Sequence, residues 1–346
     1  MILFDCERLR KPFSGKDTYC RNLATALEKE SRTRAEKLGL YMPACAEPFL
    51  EDLPHRPWHR YHKWFFRAGS DVRLFHRTTP LTYYFPKNVP LVTTVHDLNF
   101  LHYEPNPRKR EREDRCTRIA LDVSERIVTI SNDARRDILK YYGDPGKPID
   151  VIYNGVTRYS GPVTRPADAP DGDFILSICR LTRSKNLQTL PPLLSGNDLK
   201  LVIIGKNIED GQVEEILAVA DKWNVRDRVI FTGGIPEEEK HWYLRNCKAF
   251  LFPSLAEGFG LPVIEAMQYG IPTFISDRTS LPEIGGDCAF YFNHEFDPDG
   301  MRQEFKKGMS DFRSGVITPE AMKRRAALFS WETAAKKYYD IYESLL

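Results

Sequence analysis

Short apolar runs alternate with longer amphipathic segments along nearly the whole chain, and this alternation limits the possible folds more than any other feature. Helical patterns such as Asp17–Lys29, Asp133–Tyr142 and Gln212–Trp223 separate the apolar runs. Strand–helix alternation predicts parallel sheets whose crossover helices cover both faces. The predicted strands are Ile2–Asp5, Leu38–Met42, Val72–Phe75, Leu91–Val95, Arg126–Ile130 and Val151–Tyr153 in a first series, and Phe174–Ile178, Leu199–Ile204, Val229–Thr232, Phe250–Phe252 and Thr273–Ile275 in a second.

The two series of strands are separated by residues 157–173, which are rich in Pro, Gly and Asp and have no periodicity. A chain of 346 residues is long enough for two full-sized domains. We therefore predict an α/β fold with two Rossmann-like parallel-sheet domains, 1–160 and 161–330, that face each other across a cleft. A last amphipathic helix is predicted within 331–346.

Charge and cysteine content exclude several classes of protein. Lys and Arg total 50 against 48 Asp and Glu, so there is no global basic field and no nucleic-acid partner is expected. The seven cysteines include no C-x-x-C pair, which argues against a zinc ribbon or a thioredoxin-like site.

Acids at Asp5 and Glu7 are unlike a signal peptide, and no apolar run approaches the ~18 residues that span a bilayer. The sequence predicts a cytoplasmic protein whose membrane contact can only be peripheral.

Polar residues follow many of the predicted strands at their carboxyl ends, where open parallel sheets bind ligands. Gly15 comes after the first strand and His96 directly after Leu91–Val95. In the second series such residues include Arg180, Lys185, Gly205 and Lys206. These side chains suit an anionic ligand that is part phosphate and part polyol.

The stretch from Glu257 to Gly270 is the most specific signal in the sequence. Pro262 fits the first turn of a helix and Gly270 the position just past its end. Free N–H groups at the start of this helix, after a flexible Gly-Phe-Gly turn, would form a phosphate cradle. Glu257 in the loop and Glu265 one turn into the helix would then lie on opposite sides of a bound diphosphate. A capped amphipathic helix with two incidental acids is the alternative.

Several of these motifs, in this order, resemble those of the family-4 retaining glycosyltransferases, which have the GT-B architecture. Glu257 and Glu265 resemble that family's E-x7-E motif, and Ser177–Leu187 resembles its G-R-L-x-x-x-K-N-L segment. Further similar segments are Val128–Asn132, Val151–Val156, Leu281–Glu283 and Phe329–Trp331. Two positions depart from the pattern, because only Gly15 remains of a glycine-rich first loop and Cys179 stands where the family has glycine before arginine.

The resemblance implies a retaining, metal-independent transfer of a hexose from a GDP- or UDP-linked donor to a glycan or glycolipid acceptor. It favours mannose, and bacterial lipopolysaccharide or cell-surface polysaccharide synthesis as the process. It assigns the acceptor to domain 1–160, completed by the helix in 331–346, and the donor to 161–330. The implied catalytic residues are Glu257, His96, Arg180 and Lys185, and the implied nucleotide-sugar-binding residues are Gly15, Gly205, Lys206, Gly233, Gly258, Phe259, Gly260, Leu261 and Glu265.

Other classes of site fit the sequence less well. Gly15-Lys16 lacks the earlier glycine and the following Ser or Thr of a P-loop, and no G-x-G-x-x-G follows a strand. The acid pairs Asp171/Asp173 and Asp297/Asp299 lie in turn-like contexts, so we predict no metal and no cofactor besides the donor substrate. A sugar-nucleotide 2-epimerase of the same fold, or a non-catalytic sugar-nucleotide-binding module, remains the alternative function.

Residues 55–67 are basic and aromatic and contain no acid. Such a stretch suits an anionic membrane surface or a glycolipid acceptor. An ordinary solvated connection with a few anchoring rings is an equally weighted alternative.

Overall fold

The computed structural model describes residues 1–10, 15–43, 49–82 and 84–346. Within them the chain divides into two compact units, Met1–Thr157 with Phe329–Leu346, and Arg158–Leu328. None of the helices in these described ranges is long and apolar enough to cross a lipid bilayer.

The first unit contains a parallel sheet of seven described strands in the order β3-β2-β1-β4-β5-β6-β7. Its strands are β1 (Ile2–Asp5), β2 (Leu38–Pro43), β3 (His55–Trp58), β4 (Leu74–Arg77), β5 (Leu91–Val95), β6 (Arg126–Thr129) and β7 (Ile149–Val151). Its helices are α1 (Gly15–Ser31), α2 (Phe100–Tyr103), α3 (Pro107–Val123), α4 (Asn132–Tyr142) and, at the end of the chain, α11 (Trp331–Ser344). The central strands are buried along their whole length, as expected for a sheet covered on both faces.

The second unit contains a parallel sheet of six described strands in the order β10-β9-β8-β11-β12-β13. Its strands are β8 (Phe174–Ile178), β9 (Lys200–Ile204), β10 (Val229–Gly233), β11 (Ala249–Phe252), β12 (Thr273–Ser276) and β13 (Phe290–Phe292). Its α-helices are α5 (Gln212–Lys222), α6 (Glu237–Asn246), α7 (Leu261–Gln268), α8 (Leu281–Gly285), α9 (Pro298–Arg313) and α10 (Pro319–Ala327). Short 3-10 helices lie at Glu7–Arg10, Arg60–Lys63, Arg183–Lys185, Leu187–Thr189, Pro191–Leu194, Arg226–Arg228 and Gly286–Cys288.

The prediction of two parallel-sheet α/β domains is confirmed, with local corrections. The strand predicted at Val72–Phe75 begins two residues later, and the one predicted at Val151–Tyr153 ends at Val151. The segment 157–173 is no independent linker, because most of it packs on the second unit. The N–H of Thr164 donates to the carbonyl of Glu238, and the ring of Tyr159 stacks on His241 with centroids 3.9 Å apart.

Helix α11 is fastened to the first unit by a buried chain of hydroxyl and imidazole groups. The Tyr338 hydroxyl lies 2.9 Å from that of Tyr19 and 3.0 Å from Oγ1 of Thr94. His76 bonds the Tyr342 hydroxyl through Nδ1 at 2.6 Å and Thr94 through Nε2 at 2.8 Å. Burial lowers the pKa of His76 to about 3, so the imidazole is neutral in the folded protein near pH 7.

This buried histidine makes the stability of the first unit dependent on pH. An unfolded histidine takes up a proton near pH 6.5, whereas His76 in the folded protein takes one up only near pH 3. Between these values protons favour the unfolded state, so the free energy of unfolding should fall as the pH is lowered from about 6.5, by up to about 1.4 kcal/mol per pH unit from this residue. Urea unfolding at pH 7, 6 and 5 measures the slope. The variant His76→Gln should show a shallower slope, and an equal slope would contradict the assignment.

Candidate functional site

The strand order of the second sheet has a switch point between β8 and β11. Strands β9 and β10 lie on one side of β8, and β12 and β13 lie beyond β11 on the other. Loops that leave the carboxyl ends of two strands at such a point diverge and form a crevice for ligands. Arg180 and Lys185 lie in the loop after β8, and Glu257 lies in the loop after β11, so the predicted residues of these two loops flank the switch point.

Backbone hydrogen bonds tie the loops after β8 and β9 together and fix the place of Arg180. The N–H of Cys179 donates to the carbonyl of Ile204, and that of Leu181 donates to the carbonyl of Lys206, each at 3.0 Å. Gly205 must be glycine, because its φ is +149° and a Cβ there would lie 1.7 Å from the Cys179 carbonyl oxygen. Leu181 is buried, whereas Arg180 is exposed, and no residue of the described chain forms a hydrogen bond or ion pair with the Arg180 side chain.

Lys185 and Glu257 form an ion pair across the switch point. Lys185 Nζ lies 2.5 Å from Glu257 Oε1, and the two side chains are only 16% and 13% exposed. The loops also touch through their backbones, since the N–H of Leu255 donates to the carbonyl of Ser184 at 2.8 Å. A cation and a carboxylate are therefore held side by side, and Arg180 lies in the same loop as Lys185.

The backbone of Glu257 is held from the other side by the loop after β12. Its N–H donates to Oγ1 of Thr279 at 3.0 Å, and its carbonyl accepts from the Ser280 hydroxyl at 2.9 Å. Neither residue was predicted to belong to the site. Thr279 and Ser280 could have been predicted only from their position in the sequence. They follow the carboxyl end of the parallel strand β12 and directly precede Leu281.

The helix predicted after Gly260 is α7, and it begins at Leu261 as expected. Gly260 has a φ of +100°, and a Cβ there would lie 2.8 Å from the Leu281 side chain, so the turn requires glycine. Pro262 has no N–H, and the N–H of Val263 donates to the Gly260 carbonyl at 3.0 Å. Of the N–H groups predicted to receive phosphate, those of Gly260 and Leu261 therefore remain.

The other predicted residues of this loop differ in exposure. Gly258 is half-buried, whereas the ring of Phe259 is 3% exposed and belongs to the protein interior. Gly270 follows the end of α7 with a φ of +68°, as predicted for the residue just past a helix. Phe259 would thus support the turn, and any direct contact with a ligand falls to the glycines and Leu261.

Glu265 faces a lysine that was not predicted to belong to the site. Lys240 in α6 places its Nζ 3.3 Å from Glu265 Oε2 and 2.7 Å from Glu237 Oε2. The side chain of Lys240 is 15% exposed, less than either of its partners. No motif marks Lys240, because it stands within an ordinary charged helical sequence, Glu237-Glu-Glu-Lys240.

Lys206 and Gly233 lie at the carboxyl ends of β9 and β10. The Gly233 carbonyl accepts the N–H of Gly205 at 2.9 Å, and Gly233 itself has a φ of +70°. Lys206 is exposed and its stem runs past Gly234. The neighbouring Cys179, which replaces the family's glycine, is no nucleophile, because burial raises the pKa of its thiol to about 12 although Lys185 opposes the rise.

The remaining predicted residues, His96 and Gly15, belong to the first unit. His96 Nε2 donates to the carbonyl of Thr78 at 2.8 Å, and its ring packs edge-on against Tyr19. Burial, with a smaller effect of Lys16, lowers the pKa of His96 to about 3, so it can act as a neutral hydrogen-bonding group but not as a cation. Gly15 is the exposed first residue of α1, and a Cβ there would meet open space.

The two acid pairs already have local partners. Asp171 and Asp173 pair with Arg165 and Lys248, at 3.1 and 3.2 Å. Asp297 caps the first turn of α9, and Asp299 pairs with Arg302 in the same helix. Among the described residues, no group of three or more His, Cys, Asp or Glu side chains is arranged to hold a metal ion.

The basic, aromatic segment 55–67 contains two short elements that the sequence did not indicate. His55–Trp58 forms the edge strand β3, and Arg60–Lys63 forms a 3-10 helix. The ring of Phe66 stacks on Tyr41 with centroids 5.0 Å apart, and anchors the segment.

Three other rings of the same segment face solvent. Tyr61, Trp64 and Phe65 are 55%, 80% and 70% exposed. Arg60 and Arg67 are exposed beside them, and neither has an ion-pair partner in the described part of the chain. The side chain of Lys63 lies outside the described residues. We call Arg60, Tyr61, Trp64, Phe65 and Arg67 the aromatic–basic patch.

Curated proteins similar to the chain are glycosyltransferases, and several of them are mannosyltransferases. The chain is 29% identical over 258 residues to the serotype-specific mannosyltransferase WbdA of Escherichia coli, a match that covers 72% of this chain but 31% of WbdA. The chain thus spans about a third of the length of that relative. It is 26% identical over 340 residues to the O-antigen chain mannosyltransferase B of Escherichia coli, covering 92% of this chain and 87% of that protein.

A solved structure and two family models agree with this similarity. The structure of Alr3699/HepE from Anabaena in complex with UDP and glucose superposes with a TM-score of 0.76 at 17% identity, covering 99% of both chains. Residues 15–158 match the family model described as Glycosyltransferase Family 4, and residues 165–326 match the model described as Glycosyl transferases group 1. The two matches together take in most of both units, and the chain accordingly belongs to the family-4-like glycosyltransferases of the GT-B fold.

Proposed function

We propose that this glycosyltransferase transfers a mannosyl residue, with retention of the anomeric configuration and without a metal ion, from a nucleotide-diphosphate sugar to a glycan or glycolipid of the lipopolysaccharide O-antigen. The names of the similar proteins support mannose and the O-antigen. The observation that carries the chemistry is the Lys185–Glu257 pair at the switch point of the second sheet, with the exposed Arg180 in the same loop as Lys185.

In the proposed reaction, the bond between the anomeric carbon and the diphosphate oxygen breaks, and a bond from the acceptor hydroxyl oxygen to that carbon forms on the same face. The acceptor proton passes to the departing phosphate oxygen. The leaving group gains negative charge, and Arg180, Lys185 and the N–H groups of Gly260 and Leu261 are the donors that stabilise it. Glu257, beside them, is the group that faces the positive charge developing on the sugar.

The nucleotide-sugar requirement can be tested directly. Thermal-shift measurements with UDP-, GDP- and ADP-sugars should show stabilisation by at least one donor, since a ligand that binds only the folded state stabilises it. Transfer from that donor to an O-antigen glycan or glycolipid should then release the nucleoside diphosphate. If no nucleotide sugar binds, the proposed function is wrong. Conversion of the free nucleotide sugar to its 2-epimer with no acceptor present would favour the epimerase instead.

The aromatic–basic patch, Arg60, Tyr61, Trp64, Phe65 and Arg67, is proposed to contact an anionic membrane that carries the acceptor. Exposed rings suit the interfacial zone of a bilayer, and unpaired arginines suit its anionic headgroups. This contact would place the protein on the inner face of the cytoplasmic membrane, where a lipid-linked acceptor is available.

Changing Arg60, Lys63 and Arg67 together to Ser should weaken binding to vesicles that contain anionic lipid. Each charge near such a surface is worth about 1 kcal/mol, so a loss on the order of 100-fold is expected, and wild-type binding should also weaken with added salt. Co-sedimentation with vesicles measures both effects. The matched control changes Arg108, Arg110 and Arg112 of α3, which are exposed but interleaved with acids. Equal binding by the two triple variants would show that the patch does not dock on lipid.

A further inference from the structure

Lys240 resembles Lys185 in that its side chain is largely buried and pairs with a carboxylate of another element of the second unit. Exposed ion pairs contribute little and hold their side chains loosely. The Lys240 side chain is 15% exposed, and its Nζ bridges Glu237 of its own helix and Glu265 of α7. The bridge thus joins two helices that follow different strands, at the second glutamate of the predicted site.

A wider network holds Lys240 in place. Glu237 Oε2 lies 3.5 Å from His241 Nε2 as well as 2.7 Å from Lys240. His241 is buried, bonds the Tyr269 hydroxyl through Nδ1 at 2.7 Å and stacks on the ring of Tyr159. The hydrogen bond from His241, and then the charge of Lys240, lower the pKa of Glu237 to about 2 against the effect of burial. Glu237 therefore stays ionised and keeps Lys240 oriented.

The contact with Lys240 also determines which oxygen of the Glu265 carboxylate can bind a ligand. Lys240 lies at Oε2 of Glu265, and Oε1, which has no hydrogen-bond partner among the described residues, can accept hydrogen bonds from a ligand. A free glutamate side chain samples several rotamers, and restricting it to one rotamer when a ligand binds lowers the affinity for that ligand. A cation that fixes one carboxylate oxygen removes this cost before the ligand arrives.

We propose that Lys240 is a positioning residue that holds the Glu265 carboxylate in place to accept hydrogen bonds from the ribose hydroxyls of the nucleotide. This inference rests on the proposed function, and it adds that Glu265, one of the nucleotide-sugar-binding residues implied by the resemblance, bonds the donor ribose. A site built to bond a hydroxyl discriminates against an analogue that lacks it. Lys240 therefore sets the preference of the enzyme for ribonucleotides over deoxyribonucleotides, without touching the nucleotide itself.

The test is isothermal titration calorimetry with UDP and GDP and with their 2′-deoxy and 3′-deoxy forms. The wild-type protein should bind one ribonucleotide about tenfold or more tightly than at least one of its deoxy forms, as loss of a bond to a charged group predicts. Lys240→Met should reduce this ratio to near one, mainly by weakening the ribonucleotide. Lys240→Arg, which keeps the charge, should restore part of the ratio. Lys248→Met, which removes another ion-paired lysine of the second unit, should leave the ratio unchanged.

A double variant separates positioning from general destabilisation. Glu265→Gln should abolish the same ratio, and adding Lys240→Met to it should cause little further change, because two residues that act through one contact are not additive. Equal weakening of ribo and deoxy forms by Lys240→Met, or an unchanged ratio, would overturn the positioning role. If the wild-type protein binds none of UDP, GDP and, added to the same series, ADP, the proposed function fails before any variant is compared, and this inference fails with it.

Discussion

Replacing Lys185 by alanine is expected to lower kcat by a factor on the order of 10²–10³, the usual effect of losing one preorganised donor to a developing anion. Lys185 and Arg180 are the cations that flank the switch point, and Lys185 is held within 2.5 Å of Glu257. The substitution removes one positive charge from the leaving group and leaves the carboxylate of Glu257 without its partner. Both changes disfavour the approach of a diphosphate, so the donor KM should rise as well.

The matched control for this experiment is Arg183→Ala. Arg183 lies in the same 3-10 turn as Lys185, and its side chain is exposed. Removing an exposed charge that has no role in the reaction should alter kcat by no more than about twofold. Equal losses in the two variants would show that the general charge of the turn matters and that the position of Lys185 does not.

We expect EDTA to leave activity largely intact. Arg180, Lys185 and the N–H groups of Gly260 and Leu261 are proposed to supply the positive charge that a divalent ion would otherwise provide. Turnover measured with excess EDTA, and again after added manganese, checks this point. Activity that vanishes with EDTA and returns with manganese would make metal independence wrong and would bring the acid pairs back as candidate ligands.

The strands that the sequence predicted well are those whose environment is uniform. Central parallel strands are buried on both faces and appear as continuous apolar runs, and Phe174–Ile178 and Leu91–Val95 were predicted to the residue. The strand His55–Trp58 is exposed, contains Pro57 and pairs only with β2. Its conformation depends on that neighbour, so no local pattern predicts it. The strand Phe290–Phe292 was missed because three residues cannot establish a period.

Some residues of the candidate site could be predicted from the sequence, and others could not. Loops that leave parallel strands must gather at one edge of the sheet, so the sequence could bring Arg180, Lys185 and Glu257 together. It could not predict Lys240, because a lysine in a charged helix acquires a role only through the packing of α6 beside α7. Thr279 was missed for a related reason. Its hydrogen bond to the Glu257 N–H joins two loops, and nothing in either loop alone marks it.

The two glutamates should separate in steady-state kinetics, because they are proposed to face different parts of the donor. Glu265 is proposed to bond the ribose, which does not change during the reaction, so Glu265→Gln removes binding common to ground and transition states. The donor KM should rise about tenfold or more, as expected for a lost bond to a charged group, while kcat stays near the wild-type value. Because Gln has the same shape as Glu, the rise in KM would come from the lost charge and not from a displaced side chain.

Glu257→Gln should instead lower kcat, by a factor on the order of 10², because the carboxylate is proposed to stabilise positive charge that exists only in the transition state. The backbone of Glu257 is held by Thr279 and Ser280, so the amide should occupy the place of the carboxylate without a shift of the loop. Lys185 loses its counter-charge in this variant and should attract the donor diphosphate more strongly. The donor KM should therefore stay level or fall while kcat falls, a combination that a loss of folding or of simple binding does not produce. Full kcat in Glu257→Gln together with a loss of kcat in Glu265→Gln would reverse the two roles.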